Sequence, residues 1–358
     1  MIQSQQGKVY LFAESFESKS QSGIASYSAN IYESLKGSVS LEKVNYKIYN
    51  IPIFKTTLSR AFWLLRNNKV FKGTNLHVLS PEILPLKYAK SARKRVVSVH
   101  DIYQFEPVYL QYKKKTLKGR LYSGLFFPRL GKQFSGITNV YDHILPISNL
   151  TKKKFMKVFG GEESKFTVIP SIIDDKYKPL NTERKNGKTI IGYINSFSFN
   201  KIMNLNVFIS AFKEIKRKDL ELHIYGKNFP SLDLIKGDDR IKYFGFLPED
   251  KVVETYNSFD FYLSTSVIEG FGLPIMKAKA CKVPVLCYDG DLDMLVKGNT
   301  ILWNENNVHN ILENLGSENI NQMVERAYQD AEQCRSEIVS QKLLKVYDEV
   351  FGINSSNL

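Results

Sequence analysis

The sequence has little cysteine or tryptophan, no long apolar run and no low-complexity tract. Three cysteines and two tryptophans occur in 358 residues. Cys281, Cys287 and Cys334 have neither zinc-ligand spacing nor an even count, which excludes a disulfide-stapled secreted domain and leaves reduced core thiols. Nowhere do about 18 apolar residues run together, so no membrane-spanning helix is expected. Met1–Gly7 holds no basic stretch followed by an apolar core, so no secretory leader is expected and the chain reads as cytoplasmic. No long repeat is present. Helix-turn-helix, zinc and aromatic-platform motifs are missing as well, so nucleic acid is not an expected partner.

What charge there is lies on one side. The formal net charge is +14. Residues 1–180 hold 29 Lys and Arg against 12 Asp and Glu, a net of +17, while the remainder holds 21 against 24, a net of −3. A basic field confined to the N-terminal half implies a polyanionic partner, whether anionic lipid, a phosphate-bearing substrate or nucleic acid, the last without a motif to support it. Lysines and aromatics are interleaved with leucines in Leu110–Phe127, and Phe54–Phe71 places Phe62-Trp-Leu-Leu65 between basic residues. Both resemble segments that lie on an anionic membrane, and both also fit solvated helices with an apolar stripe.

Short apolar runs alternate with helical patterns, the signature of an α/β fold with mostly parallel sheets. In the first half Val9–Ala13, Leu76–Leu79, Arg95–Val99, His143–Ile147 and Phe166–Ile169 read as strands, with helices around Ile24–Leu35 and Asn149–Phe159. The polar stretch Asp174–Lys188 reads as a linker. Thr189–Ile194, Leu220–Tyr225, Ile241–Phe244, Phe261–Ser264 and Val283–Cys287 then read as a second set of strands. Helices are expected near Asn204–Ile215, Pro248–Ser258 and Pro274–Cys281, and the last forty residues read as wholly helical. Two such domains place ligands at the carboxyl ends of their strands, with the cleft between them as the default site.

The segment Ser264-Thr-Ser-Val-Ile-Glu-Gly-Phe-Gly-Leu-Pro-Ile-Met276 concentrates the chemistry. A strand ends, Glu269 sits on the following loop, Gly270 and Gly272 allow close backbone approach, and Pro274 is expected to open a helix at its first position. The amides of such a helix start suit a diphosphate, and Glu269 stands where it could accept hydrogen bonds from sugar hydroxyls. A tight strand-to-helix turn with a solvated glutamate would give the same string.

As a whole, this string resembles the donor-site signature of retaining glycosyltransferases of sequence family 4, the glycosyl transferases group 1 with the GT-B fold. Further matches follow in the family's order. Ser22-Gly-Ile-Ala-Ser-Tyr27 resembles its N-terminal glycine loop, and Val99-His-Asp-Ile102 its His-Asp strand end. Tyr141–Asn149 resembles its last N-domain strand and helix, and Val168–Asp174 the segment entering the linker. The resemblance implies two Rossmann-like domains facing across a cleft: 1–175 on the acceptor side, 176–340 binding the nucleotide sugar, and 341–358 as a helix packing back on the first. It implies transfer of a sugar from a nucleotide sugar to an acceptor hydroxyl with retention, in cell-surface glycan or glycolipid synthesis. Catalytic roles fall on His100, Glu269 and Lys201. Donor contacts fall on Gly23, Asn195, Ser196, Gly226, Phe246, Leu247, Gly270, Phe271, Gly272, Leu273 and Lys277, and acceptor-side positions on Ser22, Tyr27 and Asp101. The acceptor would be a glycan or lipid-linked molecule. No Asp-x-Asp element that would call for a catalytic metal is read in the sequence, and neither metal nor other cofactor is expected. The basic N-terminal half adds peripheral contact with the inner face of a membrane.

Two positions depart from the family. Its second glutamate, eight residues after the first, holds the nucleotide ribose; here that position is Lys277. A cation in the first helical turn opposes the helix dipole by roughly 0.3–1 kcal/mol, so Lys277 should be exposed, paired with a carboxylate or close to a bound anion. The family's arginine beside the diphosphate falls on Ser196, and nearby Asn195 and Asn204 offer hydrogen bonds but no charge. These departures leave open a donor-binding or scaffold protein of weakened turnover. The fold leaves open a sugar-nucleotide epimerase, for which the pair His100 and Asp101 supplies the evident acid/base groups.

Overall fold

The computed structural model describes residues 8–13, 23–37, 45–50, 64, 66, 68–106, 127–181, 187–195, 199–227, 229, 232–317 and 319–353. The chain divides into two compact units, Met1–Ile172 with Ser336–Leu358, and Ile173–Arg335.

The first unit holds β1 (Lys8–Ala13), β2 (Asn45–Asn50), β3 (Asn75–Val78), β4 (Lys94–Val99) and β5 (His143–Pro146), all parallel in the order β2-β1-β3-β4-β5. Strands inside a parallel sheet are covered on both faces and read as continuous apolar runs. Accordingly β3 is buried at every position and β4 at its last four. Phe12, Val78, Val97, Phe134, Ile144 and Phe155 form the centre of this core. The C-terminal helix Ser336–Phe351 buries Val339, Leu343, Leu344, Val346, Tyr347 and Phe351, a helical-period stripe, against the helix Gly23–Gly37 and β4.

The second unit holds β6 (Thr189–Ile194), β7 (Leu220–Tyr225), β8 (Ile241–Gly245), β9 (Phe261–Ser264), β10 (Val285–Tyr288) and β11 (Ile301–Trp303), parallel in the order β11-β10-β9-β6-β7-β8. Central β9 is wholly buried, whereas edge strand β8 exposes Lys242 and Phe244. Gly192 of β6 is dictated by packing, because a Cβ there would stand 2.2 Å from the Phe259 ring. The indole of fully buried Trp303 donates to Ser264 O at 3.1 Å, tying β11 to the end of β9.

Several expectations need correcting. β2 and β11 are strands the sequence reading missed. Phe166–Ile169 is no named strand; it runs beside β5 through Thr167 N–H to Ile144 O (3.1 Å) and Ile169 N–H to Pro146 O (3.0 Å), with one bridge at Phe166. The chain end is two helices, Asn321–Glu332 and Ser336–Phe351, not one helical stretch. The break is held because Ile173 N–H donates to Cys334 O at 2.9 Å and the Arg335 guanidinium donates to Asp174 O and Tyr177 O at 3.1 and 2.9 Å. The last helix therefore begins at Ser336 rather than at 341. The first part of the expected linker is packed: Tyr177 is buried against Tyr256, and Leu180 N–H donates to Asn257 Oδ1 at 2.8 Å. The basic segment Leu110–Phe127, save its last residue, and most of Phe54–Phe71 lie outside the described residues.

Candidate functional site

Counted in chain order, the second unit's strands run 3-2-1-4-5-6, the doubly wound order whose switch point lies between β6 and β9. Ligands of such sheets bind outside the carboxyl ends at that point. Because every pairing is parallel, the carboxyl ends of β6 to β9 share one edge of the sheet. That edge gathers Asn195 after β6, Gly226 after β7, Phe246 and Leu247 after β8, and the Glu269 loop after β9. Gly226 N–H donates to Gly245 O at 2.8 Å and Asn195 N–H to Tyr225 O at 3.3 Å, so these strand ends are pinned to one another. Phe246 is 52% exposed, with the Lys227 ammonium 4.2 Å from its ring centre.

The loop after β9 is shaped by short-range bonds. Ser266 Oγ donates to Glu269 Oε1 at 2.8 Å, fixing the carboxylate above buried Thr265 and Tyr193. Burial, with Glu269 adding to it, holds the Tyr193 phenol above its ordinary range, so it stays protonated. Gly272 caps the helix Leu273–Ala280 in a left-handed conformation (φ +84°), and a Cβ there would also meet Val296 Cγ1 at 2.7 Å. Leu273 is the first helical residue and Pro274 the second, one place later than expected; the difference is that Gly272, not Leu273, supplies the turn. Ile275 and Met276 N–H both return to Gly272 O. Among the described residues the N–H groups of Gly272 and Leu273 make no hydrogen bond. Two unspent donors and the positive end of a helix dipole beside Glu269 suit a phosphate.

Of the settings expected for Lys277, neither full exposure nor a carboxylate pair is found among the described residues. It is largely buried, makes no ion pair among the described residues, and lies with its ammonium 4.6 Å from the Tyr177 ring centre. Burial lowers its pKa, partly opposed by Glu249. Two residues on, Lys279 has no exposed surface and is fully bonded: it donates to Leu295 O (2.9 Å), Gly298 O (2.7 Å) and Asp330 Oδ2 (3.1 Å). It ties the Leu273–Ala280 helix to the short helix Met294–Lys297 and the Gly298 that follows it, and Val296 of that helix packs on Gly272. Nothing in the sequence reading singled out Lys279, Val296 or Tyr193. Also overlooked was the Asp-x-Asp spacing of Asp289-Gly-Asp291-Leu-Asp293. In the structure Asp289 pairs with Lys297 and Asp293 accepts from Leu295 N–H, serving the loop's own fold.

In the first unit, Tyr27, His100 and Asp101 come together at the carboxyl ends of β1 and β4, together with Gly23 at the start of the helix after β1. His100 Nε2 lies 2.6 Å from Leu79 O, and its ring meets Tyr27 edge-on at 4.5 Å. A carbonyl only accepts, so Nε2 carries the proton and Nδ1 is an acceptor with no hydrogen-bond partner among the described residues. Burial pushes the His100 pKa down to about 4, so the ring is neutral at neutral pH. Ser22 and Ser196 lie outside the described residues; Lys201 is placed within the helix Phe199–Glu214 by its backbone alone.

Comparison with known proteins fits this geometry. Residues 188–317 match the family model described as Glycosyl transferases group 1, the family the sequence resembles. The O-antigen chain mannosyltransferase B of Escherichia coli is 40% identical over 47 residues, so the match spans 13% of the chain and 12% of that relative's length. The sucrose-phosphate synthase of Thermosynechococcus elongatus superposes with a TM-score of 0.74 at 13% identity, over 96% of this chain and 99% of that one. HepE of Anabaena, solved in complex with UDP and glucose, gives 0.65 at 15% identity, over 96% and 100%. The fold is GT-B, built of two Rossmann-like domains.

Proposed function

We propose that the protein is a glycosyltransferase that moves a sugar from a nucleotide sugar to an acceptor hydroxyl with retention of anomeric configuration. The observation that carries this reading is the switch point of the second unit, where a fixed carboxylate adjoins two unspent helix-start amides. The amides of Gly272 and Leu273 take the diphosphate and stabilise it as it departs, with Lys201 as the cation beside it. Glu269 accepts from the donor sugar, and Asn195, Gly226, Phe246, Leu247, Gly270 and Phe271 line the nucleotide. Neutral His100 offers Nδ1 to a sugar hydroxyl, while Tyr27 and Asp101 stand on the acceptor side. The reading assigns no metal, because helix-start amides and Lys201 meet the diphosphate charge.

The acceptor is a glycan or lipid-linked molecule, in keeping with the +17 of residues 1–180. Synthesis of cell-surface glycans suits the partial match to an O-antigen mannosyltransferase. The same charge suits a peripheral seat on an anionic membrane; no helix among the described residues is long and apolar enough to cross one. The test is a screen of UDP-, GDP- and ADP-sugars against lipid-linked acceptors, with the anomeric configuration of the product read by NMR. Transfer with retention supports the reading, whereas an altered sugar nucleotide formed without acceptor replaces it with epimerisation. Binding without either reaction leaves a donor-binding scaffold.

A further inference from the structure

We infer that Tyr347, on the C-terminal helix, is a positioning residue for His100, acting through a buried hydrogen-bonded chain that ends on the ring against which His100 rests. The inference rests on the role given to His100 above. All members lie in the first unit. His77 of β3 has no exposed surface, and its Nδ1 lies 2.6 Å from the Tyr347 hydroxyl. Its Nε2 lies 2.9 Å from Ser98 Oγ of β4, and Ser98 Oγ lies 3.0 Å from the Tyr27 hydroxyl. The Tyr27 ring then meets His100 edge-on, at 4.5 Å and 89°.

The protons along this chain can be placed from the partners alone. Tyr27 is buried, and among the described residues its hydroxyl has one partner, Ser98. A buried O–H without an acceptor is costly, so Tyr27 donates to Ser98. Ser98 has one proton, which goes to His77 Nε2. His77 is neutral, its pKa pushed by burial to about 3, so its single N–H is on Nδ1 and donates to Tyr347. The reverse order would strand the Tyr27 proton, whereas Tyr347 has an interaction beyond His77 in either order.

This polarity makes the chain a transmitter. If the Tyr347 oxygen is removed, the His77 Nδ1–H loses its acceptor and the ring does better with its proton on Nε2. That proton faces Ser98, the Ser98 proton turns to Tyr27, and the Tyr27 proton is left with no acceptor beside His100. The disturbance therefore appears at His100, which Tyr347 does not touch.

The test uses the full chain with ¹⁵N-labelled histidine, assigned by His→Gln variants, and needs no substrate. In the wild type, His77 should be the Nδ1–H tautomer and His100 the Nε2–H tautomer. Tyr347→Phe should convert His77 to Nε2–H and shift the His100 nitrogens, whereas Ser98→Ala should leave His77 as Nδ1–H, held by Tyr347, and still shift the His100 nitrogens. Ser98→Thr, which keeps the hydroxyl, should restore the wild-type pattern, and Phe351→Leu on the same helix should leave it unchanged. With a donor the protein turns over, Tyr347→Phe should lower kcat about tenfold at unchanged donor KM. An Nε2–H tautomer of His77 in the wild type, or unchanged His100 nitrogens in Tyr347→Phe, would overturn the inference. Wild-type turnover in His100→Ala would instead remove the role of His100, leaving the tautomer measurements to decide on the chain.

Discussion

The Lys277 ammonium faces the Tyr177 ring at 4.6 Å and has no carboxylate partner among the described residues. A desolvated cation held by an aromatic face contributes little net stability, because the attraction only offsets part of the burial cost. Burial lowers the Lys277 pKa, so the folded state holds its proton less tightly than the unfolded chain does. Lys277→Met is therefore expected to leave thermal stability unchanged or to raise it by up to about 1 kcal/mol, roughly 2–4 °C in Tm. Lys277→Glu is expected to keep activity and to bind donor at least as tightly as the wild type. A Tm that drops for Met, or a donor affinity that collapses for Glu, would show that the ammonium has a favourable role of its own.

Gly272→Ala meets two obstacles at once, the left-handed φ of +84° and Val296 at 2.7 Å. Each is of order 1–3 kcal/mol, and the free amides at the helix start would shift with the backbone. We expect both stability and donor affinity to fall. Adding Val296→Ala should recover part of the loss, since it relieves the contact but not the backbone conformation. Full recovery, or none, would assign the whole effect to one of the two causes.

Lys279 and Asp330 form a buried pair 3.1 Å apart, with the lysine side chain wholly enclosed. Asp330→Asn leaves an ammonium facing carbonyls and an amide, and breaking such pairs costs about 3–5 kcal/mol. Lys279→Met together with Asp330→Asn should be far milder than Asp330→Asn alone. Urea unfolding of the single and double variants measures the difference, and equal losses would contradict it.

Acid should weaken the fold before most carboxylates titrate. Burial pushes His77 to about 3 and His100 to about 4, and lowers His143 and His223 as well. His77 and His100 stay neutral in the fold while the unfolded chain takes up protons below about pH 6.5. Stability is thus full above that pH and falls as pH drops toward the folded values, by up to about 1.4 kcal/mol per pH unit for each fully shifted ring. Denaturant midpoints at pH 7, 6 and 5 should decline. His77→Gln should flatten the slope, and a flat wild-type profile would contradict the neutral assignments.

How far the sequence can be read depends on the distance between interacting residues. The Glu269 to Pro274 string was legible because the strand end, Glu269, left-handed Gly272 and helix start are all local. Central strands such as Phe261–Ser264 were legible as apolar runs. β2 was not, because Asn45-Tyr-Lys-Ile-Tyr-Asn50, at a sheet edge, lacks the continuous apolar run by which the buried strands were read and breaks strict alternation at Ile48-Tyr49. Nor was β11, only three residues long after Asn299 and Thr300. Phe166–Ile169 has a strand's composition but lies beyond β5, where it makes a single bridge. Tyr347 read as one more position on an apolar stripe, and nothing local links it to His77, 270 residues away. Lys279 looked like any surface lysine because its carbonyl and Asp330 partners come from other elements.

The central claim is that the switch point of the second unit binds a nucleotide sugar for transfer, and Glu269 is the residue on which it turns. Calorimetric titration of UDP-, GDP- and ADP-sugars, followed by turnover of whichever binds, should be run on the wild type and on Glu269→Gln. We expect one nucleotide class to bind the wild type, and Glu269→Gln to fold and bind the free nucleoside diphosphate but to lose about 10²-fold or more in turnover. Binding of no nucleotide sugar at millimolar concentration, or turnover by Glu269→Gln equal to the wild type, would contradict the claim.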